Sequence, residues 1–384
     1  MTQSIIQDRF VLIRNLAIFC MIGNLLYFIF PFPAIVWRLF FIILGVYCCY
    51  VNYLRYGFSN IERLMIAFSG LNLVYFFVSH LWSNPPMTNI GNTLYALFAF
   101  VMFAFFGKKG ILTPKFILIS TVTLTIASIP SFYNAQQIAL AQLYGGGDET
   151  TVNASVIFLM LLPLLFCVKK RIVSLSLFCV CLFFIIIGAK RGNILAAVIP
   201  SVLYIWMLFK ENRKNVFKIA VLIISVLLIA VWVKDLILGD EYLLGRIEDT
   251  LEGNSSGRDR IYPVMWNMWV GTDKIINFLF GYGYNGTLLY SPLHKFAHSD
   301  WLEILVDFGL LGAVIYASIF ISFVRLYFKL DKGYARIVCL FIVSIWFMKT
   351  LYSTAFLDEK LALMAIPFGC LYEGCFFKDN SISK

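Results

Sequence analysis

Charged side chains make up only 14% of this 384-residue chain, against 61% hydrophobic ones and a mean hydropathy of +0.84. Soluble domains carry roughly 25% charge, so a soluble globular protein is excluded. Disorder is excluded by the 38 Phe and 20 Tyr, and a coiled coil by the lack of charged heptads. All nine cysteines sit in or beside apolar runs, as packing residues would, and imply neither a disulfide framework nor a zinc site. There is no Walker A loop, zinc-ligand cluster or Asp-x-Asp pair for a metal-bound sugar nucleotide. Chemistry with ATP, zinc or nucleotide sugars is therefore unsupported, and no metal or cofactor is implied.

What the chain does have is hydrocarbon. A membrane-spanning helix needs ~20 apolar residues, and apolar runs of that order occur near 15–30, 35–54, 64–81, 91–106, 115–131, 152–168, 172–188, 193–209, 219–238, 301–323, 337–356 and 361–377. The expected fold is all-α and polytopic, with about 12 transmembrane helices. The first run has no small-residue cleavage site and reads as a retained span. Residues 1–238 would hold helices 1–9 and residues 301–384 helices 10–12 with a tail. Between them lies one large outward loop, 239–300.

The net charge of +10 would suggest nucleic acid if it lay on an exposed basic face, but sorted into alternate loops it becomes a topology signal. With the N-terminus inside, one side collects 20 of the 31 Lys and Arg and five acids, so it carries +15 against −5 for the rest. Cytoplasmic loops are enriched in cations, so both termini are expected inside and the 239–300 loop outside. No nucleic-acid partner is expected.

The cations that disobey this rule are candidates for function. Arg191, in the short outward turn Ala189-Lys190-Arg191-Gly192, is costly at the membrane boundary unless it meets water or an anion. Its planar fork of donors suits a phosphate. The alternative is that Lys190 and Arg191 merely complement the C-terminal dipole of the preceding helix.

In the loop, Asn254-Ser255-Ser256-Gly257-Arg258-Asp259-Arg260 precedes an aromatic run from Ile261 to Trp269. Ser256 and Asp259 have capping-box spacing, which predicts a helix start with Arg258 and Arg260 in the first turn, where an anion is favoured. Pairing of these arginines with Asp259 or Glu252 is the alternative. The Trp and Met face would lie on lipid or on the bundle.

Gly281-Tyr282-Gly283-Tyr284-Asn285-Gly286 matches the dinucleotide fingerprint letter for letter but has no βαβ context, so its glycines are expected to turn the loop back toward the membrane. Then Ala297-His298-Ser299-Asp300-Trp301-Leu302-Glu303 leads into the tenth span. The imidazole of His298 can accept a proton near neutrality. Asp300 and Glu303 share a helical face, with Asp307 a turn further, and helix capping would also explain the first two. His294 lies on the same outer side. Lys349 and Arg38 are intramembrane cations and candidate secondary anion contacts; snorkelling or an internal ion pair explains either equally well.

Taken together, the Arg-Gly turn, Ser-Gly-Arg, the Gly-x-Gly return and His-Ser-Asp-Trp-Leu-Glu entering a span with Gly309 and Gly312 resemble one superfamily. It is the bacterial O-antigen polymerase (Wzy) and O-antigen ligase group, and the likeness is most specific over 188–312. Where that group often has His-Asn, this chain has His298-Ser299. The resemblance implies a GT-C-like membrane glycosyltransferase of the bacterial inner membrane, acting at the periplasmic face on undecaprenyl-diphosphate-linked repeat units, with a chain-length regulator as a further partner. Arg191 and Arg258 would stabilise the departing diphosphate and His298 would accept the hydroxyl proton. Arg260, His294, Asp300 and Glu303 would bind substrate, and an exchange of roles that makes Glu303 the base stays open. The divergent N-terminal half favours polymerase over ligase. A lipid-linked oligosaccharide flippase shares the span number but would show two similar halves around a midplane site.

Overall fold

The structure, a computed structural model, describes residues 2–144, 154–188, 190–212, 257–331 and 333–372. Among the described residues it is all helical, without a strand. The order is α1 (Thr2–Leu25), α2 (Ala34–Arg55), α3 (Asn60–Ser79), α4 (Met87–Lys108), α5 (Pro114–Tyr144), α6 (Val156–Phe166), α7 (Arg171–Ile187) and α8 (Arg191–Asn212). After the 239–300 loop begins come α9 (Arg258–Val270), α10 (Ile275–Phe280) and α11 (Gly286–Tyr290). The chain then re-enters the bundle as α12 (Asp300–Lys329), α13 (Tyr334–Tyr352), a 3-10 turn (Glu359–Met364) and α14 (Ala365–Gly369).

Among the described residues, seven helices are long and apolar enough to cross a membrane: α2, α3, α4, α5, α8, α12 and α13. The sequence places apolar runs at five further positions. α1 covers most of the 15–30 run, but its first half carries Asp8, Arg9 and Arg14. The 152–168 and 172–188 runs appear as α6, with 11 residues, and α7, with 17. At 1.5 Å per residue α6 is only about 16 Å long, against ~30 Å of bilayer hydrocarbon. The 361–377 run is represented by the 3-10 turn and the one-turn α14, both buried. The 219–238 run, Ser256 and the Asn254-Ser255 pair lie outside the described residues.

The core is organised around α4. Its best apolar window is 89% buried, and the rings of Phe100, Phe103, Phe105 and Phe106 are fully enclosed. A helix apolar on every side is suited to be surrounded in this way, and α2, α3, the 3-10 turn and α14 pack around it. At the end of the bundle that the charge pattern assigns inside, Ser59 and Glu62 form a capping box at the start of α3. The buried Glu62 carboxylate also accepts from Lys108 at 2.6 Å and Asn52 at 2.5 Å. Cations counted for topology are thus in part internal partners.

The same holds for the two intramembrane cations, which form internal ion pairs. Arg38 pairs with Glu359 and donates to Asn24 at 2.9 Å, and Lys349 pairs with Asp358. Glu359 and Asp358 begin the 3-10 turn, so both pairs fasten this short segment to α2 and α13. A buried cation needs such a partner.

α12 is broken at Gly309, where φ is 62° and ψ is −158°. In a continuous helix the carbonyls of Val306 and Asp307 would accept from residues four positions on. Here they accept from the returning loop instead, Tyr282 N–H at 2.8 Å and Gly283 N–H at 3.0 Å. The approach requires glycines. A Cβ on Gly309 would lie 2.5 Å from the backbone of Leu279, Phe280 and Gly281, and one on Gly281 would lie 2.6 Å from Phe308 N. The Gly-x-Gly segment is therefore the turn expected from the sequence, and it also supplies the donors that the helix break leaves wanting.

Candidate functional site

Arg191 does not close α7, which ends at Ile187 with Gly188 as its cap. It opens α8: the amides of Asn193 and Ile194 donate to the Lys190 carbonyl at 2.9 and 3.1 Å, so Lys190 is the cap and Arg191 the first helical residue. The dipole argument for a structural role is thereby reversed. A cation at the positive end of a helix is unfavourable unless an anion joins it. The turn is pinned in place by Asn193, whose side chain donates to Ser155 at 2.9 Å, and by Gly192, which passes so close that an added Cβ would stand 3.1 Å from Tyr352 Cβ.

Arg258 repeats this arrangement. It is the first residue of α9, whose cap is Gly257 in the left-handed region with φ 79°, and no side chain caps the helix. The first turn holds Arg258 and Arg260 as expected, but the cap is Gly257, one residue later than the Ser256–Asp259 capping-box spacing predicts. Arg258 Nη2 donates to the Tyr352 carbonyl at 3.0 Å, while its buried Nε meets no acceptor among the described residues. One turn on, the Tyr262 hydroxyl donates to the Leu351 carbonyl at 2.9 Å and lies 3.4 Å from that of His298. The Leu351 and Tyr352 carbonyls belong to the last turn of α13, where helices leave acceptors unsatisfied. Met265 and Trp269 pack beneath against Ala297 and Val306, so the apolar face of α9 lies on the bundle.

His298 stands just before α12 in a left-handed conformation, φ 54°, that is uncommon for a residue with a Cβ. The preceding Ala297 N–H is held by the Glu303 carboxylate at 2.6 Å. Desolvation in the site, followed by the charges of Lys190, Arg258 and Lys295, pushes the imidazole below its usual pKa. It is therefore neutral at neutral pH and able to take a proton.

The structure thus brings Arg191, Arg258 and His298 together around the C-terminus of α13, each at or just before a helix start. Lys190, Lys295, Tyr262 and Tyr352 join them. Arg260 is exposed in the first turn of α9. His294 is exposed on the turn after α11, its Nδ1 3.2 Å from the Leu288 carbonyl.

The acids face inward. Asp300 accepts from Ala355 N–H at 2.6 Å and from the Tyr316 hydroxyl. Glu303 accepts from Ala297 and Thr287. Asp307 accepts from the amides of Asn285 and Thr287 at 3.0 and 3.1 Å. All three are essentially inaccessible, and Ser299, the cap of α12, makes no side-chain cap bond. Asp300 and Glu303 are thus placed to hold the loops that carry Tyr352 and His298.

Tyr262 was legible as a site residue in one respect: it lies at i+4 from Arg258, on the same face of a helix. Tyr352 had no local signal, since it contributes a carbonyl from 94 positions away.

Residues 175–317 match a family model described as O-antigen ligase. No curated protein matches the sequence at a significant level. The matched stretch runs from α7 into α12 and holds Arg191, Arg258 and His298. Together with the long apolar helices, the match describes a multi-pass membrane protein that is similar, over residues 175–317, to the O-antigen ligase family.

Proposed function

We propose that the protein is an O-antigen or related surface-polysaccharide polymerase, a glycosyltransferase of the bacterial inner membrane with about twelve spans. It would transfer a nascent glycan from undecaprenyl diphosphate to a lipid-linked repeat unit at the periplasmic face. The observation that carries this reading is the meeting of the starts of α8, α9 and α12, with Arg191 and Arg258 each first in its helix. Two arginines at helix N-termini beside the end of α13 favour a polyanion, and a sugar diphosphate is one.

In the reaction an acceptor hydroxyl attacks the anomeric carbon of the donor sugar. The new C–O bond forms as the bond to the diphosphate oxygen breaks, and the electron pair leaves with the diphosphate. His298, neutral at neutral pH, accepts the hydroxyl proton. Arg191 and Arg258 stabilise the charge that grows on the leaving diphosphate, electrostatic help already in place before the reaction begins. Arg260 and His294, exposed at the mouth, contact the glycan or its phosphates. Asp300 and Glu303 act from inside as positioning residues.

The test uses purified full-length protein and two lipid-diphosphate-linked repeat units, with neither ATP nor an ion gradient. Lengthened product that disappears in folded Arg191→Ala, Arg258→Ala and His298→Ala variants supports the reading; full activity in all three overturns the site. Deleting the gene separates polymerase from ligase. Polymerase predicts surviving single-repeat lipopolysaccharide, and loss of all capped lipopolysaccharide with accumulated polymer would point to ligase.

A further inference from the structure

The stretch of chain that leads into His298 is closed by one side chain. The buried Glu303 carboxylate accepts from the Thr287 hydroxyl on Oε1 and from the Ala297 N–H, at 2.6 Å, on Oε2. The chain departs from α12 at Thr287, runs through residues 288–296 and returns at Ala297, immediately before His298. Both ends of that excursion therefore depend on where this carboxylate points.

Thr287 engages a second acid with its backbone. Its amide donates to Asp307 Oδ1 at 3.1 Å, and the Asn285 amide donates to Oδ2 at 3.0 Å. Glu303 and Asp307 are one turn apart on α12, so their side chains rise from one face, and Thr287 spans the two with its hydroxyl and its N–H. The same segment is also fixed to the first half of the chain. Ser79 of α3 accepts from Tyr284 N–H at 2.9 Å, and Asn89 of α4 donates to Asn285 Oδ1 at 3.2 Å. Thr287 is thus a fixed point from which Glu303 is oriented.

Thr287 and Glu303 have no accessible surface, so neither touches a substrate. An enclosed carboxylate needs its donors, and taking one away leaves a buried oxygen unsatisfied. With a methyl in place of the Thr287 hydroxyl, the carboxylate would turn or admit water and release the Ala297 amide. The next residue is sensitive to that release. His298 holds φ at 54°, and such backbone persists only where its surroundings impose it. Lys190, Arg258 and Lys295 face its imidazole, and the Tyr262 hydroxyl lies 3.4 Å from its carbonyl, so a small rotation changes what the imidazole meets.

We propose that Thr287 is a positioning residue for His298: its hydroxyl orients the Glu303 carboxylate, which holds the Ala297 amide and so sets where the imidazole stands. The catalytic role of His298 rests on the glycosyl-transfer reading above; the placement of its imidazole does not, and the two are tested separately.

The first measurement needs no turnover. The chain has three histidines, so the full-length protein with isotope-labelled histidine, in nanodiscs, gives imidazole NMR signals that His80→Gln and His294→Gln assign. The wild-type His298 signal should titrate below the ordinary ~6.5. In Thr287→Val the loosened site readmits water, and the midpoint should rise toward that value while the His80 signal stays in place. Thr287→Ser keeps the hydroxyl and should titrate as wild type. Thr287→Ala, which adds no bulk, should behave as Thr287→Val and serves in its place if the valine variant does not fold. A His298 titration unchanged by loss of the hydroxyl overturns the proposal, and so does a change of equal size in Thr287→Ser.

The second measurement follows glycan lengthening. Thr287→Val should lower kcat about ten- to a hundredfold and leave KM within about twofold, with Thr287→Ser at the wild-type rate. A raised KM at unchanged kcat would make Thr287 a substrate contact and overturn the proposal. If the wild-type protein lengthens no glycan while the His298 titration moves as expected, the polymerase reading fails and the placement of His298 by Thr287 stands.

Discussion

The guanidinium of Arg258 hydrogen-bonds the backbone carbonyl of Tyr352, 94 positions away, at 3.0 Å. That bond joins the outward loop to the end of α13, and Gly192 packs against the same tyrosine from the start of α8. The tip of α13 thereby sets the spacing of two arginines that belong to different parts of the chain. It uses one of the five guanidinium donors of Arg258.

The acid limb of the pH profile should report His298. Desolvation and the nearby cations lower its pKa, so kcat/KM is expected to fall only below ~6.5, the ordinary imidazole value. Removing a cation favours the protonated form, so Lys190→Gln should move the inflection upward. An acid limb that persists unchanged in a partly active His298→Gln variant would assign it to another group.

Tyr262→Phe removes the hydroxyl that donates to Leu351 and approaches the His298 carbonyl. Small displacements of a reacting group can cost about 10²-fold. Turnover is expected to fall on the order of ten- to a hundredfold while KM and thermal stability change little. Unchanged turnover would show that the tyrosine does not position the imidazole.

Gly281→Ala and Gly309→Ala should each prevent recovery of monodisperse protein, since each Cβ would strike backbone where the loop enters the break in α12. Gly57→Ala is the control, with φ of 69° and nothing within 4 Å of an added Cβ. It carries only the left-handed strain of about 1–2 kcal/mol. Size-exclusion profiles in detergent compare the three, and wild-type behaviour of Gly281→Ala would contradict the close approach.

Lys349→Ala should destabilise by up to about 3 kcal/mol, because it removes the nearer cation from Asp358 and leaves it only Lys360, at 3.7 Å. Lys349→Met with Asp358→Asn should recover most of that loss in thermal unfolding. Burial alone would raise the Asp358 carboxyl, but Lys349 and Lys360 hold it below the usual range. A depressed pKa contributes stability above the unfolded value of ~3.9, so the pair should persist at mildly acidic pH and weaken only as pH falls well below that value.

The long spans were legible because their apolar stretches meet the length rule by themselves, as in α2 and α4. The short lengths of α6 and of the helices within Leu361–Tyr372 were not, since hydropathy alone does not mark where a helix ends. Arg191, Arg258 and His298 stand out in the sequence as cations that depart from the charge pattern and a titratable group just before a span, features carried locally. What local sequence left open was which helix Arg191 belongs to and where the carboxylates of Asp300 and Glu303 point. The fate of Arg38 and Lys349 was open for the same reason, because their partners, Glu359 and Asp358, are distant in sequence.

The break in α12 also orders events in time. The amides of Tyr282 and Gly283 are translated before the carbonyls of Val306 and Asp307 that receive them. The outward loop cannot adopt its final path until α12 has been inserted beside it. Assembly of the proposed site must therefore await completion of the C-terminal helices, so a ribosome stalled before residue 306 would leave the earlier helices in place and the site unassembled.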